Sequence, residues 1–310
     1  MFKEAKIIFI YTETSLHCGS GSSLGVVDLP IQREKYTDYP ICQASGIKGS
    51  VREWFEMTCN ENEQKKILFT FGPDFERGEG DAFAGAATFT DGRLLLFPVR
   101  SLNGLFAYTT SRFALNRFKR DAQMAGADIQ WVVPSETTQK VLGANNSGVG
   151  ISAQNKIVLE EYTYDFEENS DVTEIAKWIA TNAIPKGQEY NDYWRKKVES
   201  DLVILPDGIF RDFVKQSTEV QARIRINNET KTVDKGALFY EEALPSDSLL
   251  YSVVMAHDPA VDKAKRPEGL QDSKDIMKFL GKLDGKRLQL GGDVTIGKGI
   301  VNLRFLKGGE

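Results

Sequence analysis

The stretch LHCGSGSSLGVVDLPIQREKYTDYPICQASGIKGSVREWF, residues 16–55, decides how this chain is read. It follows a β-branched and aromatic run at 6–13 that predicts a first strand. Its first half is rich in Gly, Ser and Pro and cannot be one regular element. There His17 heads a loop containing Gly19, Gly21 and Gly25, and Asp28 stands among apolar neighbours. The second half turns through small residues, Ser45 and Gly49 among them, and predicts a helix over 47–57 from the spacing of Ile47, Val51, Trp54 and Phe55. Lys48 and Arg52, four apart, share one face of that helix opening. Amides and dipole at a helix N-terminus favour an anion, and Lys48 adds charge. Glycines upstream let further amides approach a phosphate chain. A candidate general base or metal ligand and a polyanion cradle thus share one short segment, a combination that points to RNA phosphodiester chemistry.

The rest of the 310-residue chain sets bounds. With 41% hydrophobic residues it can bury a sizeable core, as one large domain or two modest ones. No run approaches the ~20 apolar residues of a membrane span. The first fifteen residues read as a strand and not as a signal peptide. Three cysteines, an odd number without a CxxC pair, argue against a disulfide framework and for a reduced, cytoplasmic setting. A net charge of −5 counts against nucleic-acid binding. Its distribution softens the objection, because residues 160–174 hold seven acids and no base while 111–120 hold four bases and no acid. A groove can be locally positive on an acidic protein.

Downstream, 87–90 and 94–99 flank Asp91-Gly92 and predict a hairpin. Thr110 or Ser111 caps a predicted helix through Met124 that stops at Gly126. Residues 156–166 alternate like a strand, and Asp171 with Glu174 predicts a helix to about Asn182. A helix over 192–200 and strands over 202–205 and 249–255 follow. Strands at 220–226 and 237–240 are joined by a long polar connection, and Ser273 caps a helix to about Leu283. Strands over 286–290 and 299–306 close the chain. Hairpins mixed with helical crossovers make the fold class α+β, and the order of elements suits a ferredoxin-like core with large insertions.

Two glycine motifs fail as nucleotide sites. Gly19, Gly21 and Gly25 have one residue too many for the dinucleotide fingerprint and lead into no helix. Residues 292–298 match the P-loop spacing, but Gly299 stands where a hydroxyl belongs and a strand follows. What survives is a glycine-rich clamp on a sugar-phosphate backbone, with Lys298 as a point charge. Zinc is disfavoured, because Cys18, Cys42 and Cys59 lack paired ligand spacing. Arg223, Arg225, Lys231 and Lys235, with Phe239 and Tyr240, suggest a basic and aromatic surface for single-stranded nucleic acid.

Six segments together carry a resemblance: HCGSG at 17–21, VDLPIQRE at 27–34, SGIKGSVR at 45–52, GALFYEEALP at 236–245, LQLGGDVTIGKG at 288–299, and the closing VNLRF. They resemble the RAMP-superfamily backbone subunit of type III-B (Cmr) CRISPR effector complexes. The resemblance implies a ferredoxin-like, RRM-like palm over about 1–165 and 245–310. A helical insertion would occupy about 166–217 and an extended thumb hairpin about 218–244. It implies copies stacked into a helical filament along a CRISPR guide RNA, beside other type III-B subunits. Single-stranded target RNA would be cut at regular intervals, at one site per subunit that depends on a divalent metal, Mg²⁺ or Mn²⁺. Asp28 matches the acid that carries cleavage and the metal. His17 and an acid of the pair Glu241–Glu242, Glu242 being the first candidate, match groups beside it. Gly19, Gly21, Ser45, Lys48, Gly49 and Arg52 would hold the guide, with Arg223, Arg225 and Lys298 as further RNA contacts. Two rival readings share most of these features: a non-catalytic RNA-binding scaffold, and a stand-alone guide-RNA-processing endonuclease using His17.

Overall fold

The computed structural model describes residues 2–73, 83–135, 140–151, 153–186, 189–227 and 229–307. Among them the elements run β1 (Glu4–Thr12), β2 (Ile41–Cys42), α1 (Ala44–Thr58), α2 (Glu61–Phe71), β3 (Ala87–Phe89), β4 (Gly92–Arg100), β5 (Phe106–Ser111), α3 (Arg112–Met124), β6 (Val141–Gly143), β7 (Lys156–Leu159), β8 (Tyr162–Glu168), α4 (Ser170–Asn182), α5 (Glu189–Asp201), β9 (Leu202–Leu205), α6 (Asp207–Gln216), β10 (Glu219–Ile226), β11 (Val233–Ala243), β12 (Leu249–Ala256), α7 (Ser273–Leu280), β13 (Arg287–Gln289) and β14 (Ile300–Phe305). The chain is α+β.

The unbroken apolar run of β1 marks a strand covered on both faces. It pairs antiparallel with β12 on one side and β14 on the other, Ile8 facing Ser252 and Phe305. The order β14-β1-β12-β4 makes the centre of the main sheet, with α1 lying between β1 and β4 in sequence and α7 between β12 and β14. Alternate residues of β1 serve opposite cores. Ile8 and Ile10 join Val51 and Phe55 of α1 and Ile276 and Phe279 of α7. Ile7, Phe9 and Tyr11 join Phe118 of α3 and Ile175 and Ile179 of α4. Phe55 and Phe279 stack at 4.4 Å between ring centroids, which locks the two helices of the first core together.

Beyond β4 the sheet continues β5-β9-β6-β8-β7 and curls back. Ser101, just past β4, bridges to Leu159 of β7, and the Leu102 amide donates to the Val158 carbonyl at 3.1 Å. Arg304 of β14 is buried and donates to the carbonyls of Thr181 and Ile184, both at 2.5 Å. Burial drops its pKa to about 10, and the carbonyl end of α4 is where a cation is favoured. β10 and β11 stand apart as a two-stranded ribbon, and β10 is largely exposed along its length.

Several expectations need correction. The hairpin around Asp91-Gly92 does not form: β3 and β4 lie end to end along β12 and do not pair with each other. The Asp91 carboxylate instead accepts the Ala44 amide at 2.8 Å, which starts α1 three residues before its predicted onset. Residues 156–166 are two strands turned at Glu160, whose φ is 50°. α4 is capped by Asn169, which accepts the amides of Asp171 and Val172, and α7 by Asp272. α2 and α6 were not foreseen. The first half of α2 is polar, and α6 buries only Phe210, Phe213 and Val214, so neither offers a long apolar stripe. The basic run at 111–120 forms α3 and is spent internally: Arg117 donates to both oxygens of Glu34 at 2.6 and 2.7 Å, and Lys119 donates to the Trp131 carbonyl at 2.6 Å.

Phe55 is fully buried between helix and sheet. Phe55→Ala is expected to cost about 3–5 kcal/mol, measured as a lower midpoint in urea unfolding followed by far-UV circular dichroism.

Candidate functional site

The loop after β1 is laid against the base of the ribbon. Leu16 and Leu244 exchange backbone bonds of 2.8 and 2.9 Å. The Leu29 amide donates to the Tyr240 carbonyl at 3.0 Å, and its own carbonyl accepts the Glu242 amide at 3.0 Å. This extra pairing along β11 places Asp28, whose Oδ2 accepts the Tyr240 amide at 2.7 Å. Asp28 is half-buried, while Leu24 and Val26 of the same loop are fully open to solvent.

His17 sits at the junction of this loop with the C-terminal glycine loop. Its Nδ1 lies 2.6 Å from the Glu242 carbonyl, which requires the proton on Nδ1 and leaves Nε2 as the basic nitrogen. Gly19 is needed here, since a Cβ on it would fall 2.6 Å from Nε2. Gly291, at φ 77°, is needed too, since a Cβ would fall 2.4 Å from the His17 carbonyl oxygen. The next amide, of Gly292, donates to that oxygen at 2.9 Å.

The two neighbouring acids of β11 face opposite ways, as strand geometry demands. Glu241, 2% exposed, reaches the His17 side. It accepts from Lys298 Nζ at 3.1 Å, pairs with Arg223 at 2.5 Å, and lies 3.9 Å from His17 Nδ1. Asp293, with φ 63°, completes the group and lies 3.7 Å from Arg223. Burial alone would raise the Glu241 pKa, but bonds from Asp293, Lys298 and Arg223 bring it down to about 2. The bond to Glu241, with burial, raises that of Asp293. Glu242 points the other way. Its carboxylate takes the Ile31 amide at 3.0 Å, the Thr218 hydroxyl at 2.7 Å and the Arg33 guanidinium. Of the acid pair left open by the sequence, the structure brings Glu241 to His17 and commits Glu242 to tying the loop to the ribbon.

His17, Glu241 and Asp293 offer donor atoms within 4.8 Å of one another, a spacing that suits a metal. The charges fit poorly: Glu241 is already matched by an ammonium and a guanidinium, and the Nδ1 proton of His17 is committed. Asp28 fits better. Among the described residues only its Oδ2 has a partner, and Mg²⁺-type ions are commonly held by one or two carboxylates together with substrate phosphates and water.

The predicted RNA contacts divide. Ser45 and Gly49 are exposed in the opening turns of α1, which carry no acid of their own and whose first amide, of Ala44, is taken by Asp91. Lys48 is half-buried beside them, and burial together with the Arg52 charge lowers its pKa. Arg52 itself donates to Glu56 at 2.7 Å and to the Gly72 carbonyl at 3.0 Å. Gly21 is exposed at φ 92°, and Arg225 is exposed on the ribbon. Lys298, 5% exposed, and Arg223 are not free point charges, because the buried Glu241 takes both. Lys235 lies outside the residues whose side chains are described. Asp293 was missed, although it stands inside the glycine motif from which only the glycines and Lys298 were read. Arg33 and Thr218 gave no local signal, since their role exists only once loop and ribbon meet.

Comparison with known proteins identifies the family. The profile of the RAMP superfamily matches residues 9–302. The "CRISPR system Cmr endoribonuclease Cmr4" of Pyrococcus furiosus is 38% identical over 302 residues, covering 97% of this chain and 95% of that protein. The crystal structure of oligomeric Cmr4 from Pyrococcus furiosus superposes with a TM-score of 0.73 at 29% identity, covering 99% of both chains. A chain in the cryo-EM structure of the type III-B Cmr-beta complex bound to cognate target RNA shares the fold, with a TM-score of 0.74 at 24% identity over 98% of both chains. This chain therefore belongs to the RAMP superfamily, in its Cmr4 family.

Proposed function

We propose that this chain is the backbone subunit of a type III-B CRISPR effector, polymerising along the guide RNA and cutting complementary target RNA once per subunit beside the ribbon. The single observation that carries this reading is the anchoring of the Asp28 carboxylate to the ribbon base, at Tyr240, one residue from the Glu241 network. In this reading the ribbon with its flanks, about 218–244, is the thumb. About 1–165 and 245–310 form the palm, and 166–217 is a helical insertion. The antiparallel order β14-β1-β12-β4, with α1 and α7 as crossovers, supports a ferredoxin-like palm. No helix among the described residues is long and apolar enough to cross a membrane. In this reading the work on RNA takes place in the cytoplasm. Partners are the guide RNA, single-stranded target RNA, further copies of the chain and other subunits of the complex.

RNA carries its own nucleophile, the 2′-hydroxyl. If the target is kinked at the ribbon, that oxygen can be aligned with the adjacent phosphorus, and such positioning supplies much of the rate. Asp28 would hold a divalent cation, Mg²⁺ or Mn²⁺, whose chemistry when bound is to neutralise charge building on the phosphorane. His17, its Nδ1 proton fixed by the Glu242 carbonyl, keeps Nε2 ready to accept a proton. Lys48, with no carboxylate partner among the described residues, lies one turn inside the opening of α1 and is the best-placed cation for the guide backbone.

Asp28→Ala in an assembled complex is expected to leave guide binding and assembly intact and to lower target cleavage by at least about 100-fold, measured with labelled complementary RNA in Mg²⁺. Unchanged cleavage would favour the scaffold reading. Lys48→Ala is expected to weaken guide binding and to reduce the slope of log affinity against log salt by about 1; an unchanged slope means that Lys48 touches no phosphate. Glu242→Gln should show its main effect in thermal unfolding, through the lost Arg33 pair. A cleavage defect in Glu242→Gln at unchanged stability would instead give Glu242 a part in the chemistry.

A further inference from the structure

Cys18 and Cys42 bring their sulfur atoms to 2.7 Å from one another. Both side chains are buried, at 6% and 2% exposure, in the core beneath the first loop. They stand 24 residues apart in sequence, at the two roots of the segment that carries Asp28. Cys18 follows His17 directly, and Cys42 closes β2 just before the opening of α1. The segment between them is fixed at each end by backbone bonds: Gln32 donates to the Cys18 carbonyl at 2.8 Å, and its own carbonyl accepts the Ile41 amide at 3.0 Å. These backbone bonds, with the burial of both side chains, keep the two residues side by side. Going from 2.7 Å to the ~2.05 Å of an S–S bond needs only a small closure. Cys59, the third cysteine, is partly exposed and has no sulfur neighbour among the described residues. The odd cysteine count thus hides a pair.

We propose that Cys18 and Cys42 are an oxidisable pair whose disulfide fastens the root of the Asp28 loop to the start of α1. With a peroxide as oxidant the chemistry balances. One thiol, losing its proton, attacks a peroxide oxygen to give a sulfenic acid, and the O–O bond breaks with release of water. The second thiol then attacks that sulfur, the S–O bond breaks, and a second water leaves. Two thiols lose two electrons and two protons, and one hydrogen peroxide becomes two waters. The shared hydrogen bond with Cys42, with burial, holds the Cys18 thiol well above its ordinary pKa, and attack needs the thiolate. Closure is accordingly slow in the folded protein, and a durable clasp is expected in place of a fast switch. A peroxide is also small enough to enter where a bulky disulfide reagent is not.

The test uses the full chain carrying Cys59→Ser. The protein is treated with hydrogen peroxide, unfolded, alkylated with iodoacetamide and weighed by intact mass spectrometry. The expected product is lighter by two hydrogens, takes up no alkyl group, and regains two alkylation sites after reduction. Its thermal midpoint should rise by about 5 °C and fall back on reduction. Cys18→Ser and Cys42→Ser should show neither change. The pair is refuted if both thiols stay alkylatable after peroxide exposure prolonged well beyond that which fully oxidises Cys59 in the unsubstituted chain. It is refuted equally if the two sulfurs pass to sulfinic acids without joining. Because the mass reading is made on the native cysteine pair, a variant that fails to fold does not rescue the proposal.

Discussion

A single buried carboxylate organises this molecule. Glu241 is almost wholly withdrawn from water, where an unpaired charge would cost several kcal/mol. It is tolerable only because Arg223 and Lys298 pair with it. Those partners come from the other strand of the ribbon and from the C-terminal glycine loop, and His17 adds the loop after β1. Three segments distant in sequence are thereby fixed to one strand. An isolated two-stranded ribbon is marginal in water, and this ribbon exposes Val220, Ile224, Leu238 and Tyr240. Its orientation is set at its base, by charge, because its length has no core to lean on.

The position of Asp28 follows from the same junction. Its loop is irregular, and Leu24 and Val26 show that the tip makes no packing contact of its own. The loop becomes ordered where Leu29 pairs with β11 and Glu242 gathers Ile31, Arg33 and Thr218. Adjacent acids on one strand thus do two jobs through strand alternation. Glu241 locks the ribbon to the glycine loop, and Glu242 locks the ribbon to the loop bearing Asp28. Asp28 is in addition tied directly to the ribbon through the Tyr240 amide, so its place does not rest on either lock alone.

This explains which parts were legible in the sequence. β1, α1 and α3 were readable because each carries a local pattern: an apolar run, a helical stripe, and a serine cap, where Ser111 accepts the Ala114 amide. The grouping of His17, Gly19 and Asp28 in one loop was readable too. The partition of the acid pair was not, because choosing between Glu241 and Glu242 requires knowing which face of β11 meets the glycine loop. Asp91-Gly92 carries the same lesson. The dipeptide has hairpin chemistry, yet its aspartate is drawn off to cap α1, and tertiary demand overrides local preference. Lys298 and Arg223 looked like surface cations because sequence shows charge without showing its partner.

The fate of those cations also bears on how an acidic protein can hold RNA. The basic run of α3 is consumed by Glu34, Asp121 and backbone carbonyls, and Arg223 and Lys298 are consumed by Glu241. Net charge and charge clusters are therefore poor guides to where a polyanion would lie. What matters is a cation placed where no carboxylate answers it. Lys48 meets that condition among the described residues. Its lowered pKa reflects desolvation and a neighbouring guanidinium, both of which an arriving phosphate would offset. It stands on a helix whose own first turn contains no acid, the Ala44 amide being taken by the Asp91 carboxylate. A polyanion is attracted to such a point whatever the average charge of the surface, because screening confines each exposed charge to about 10 Å.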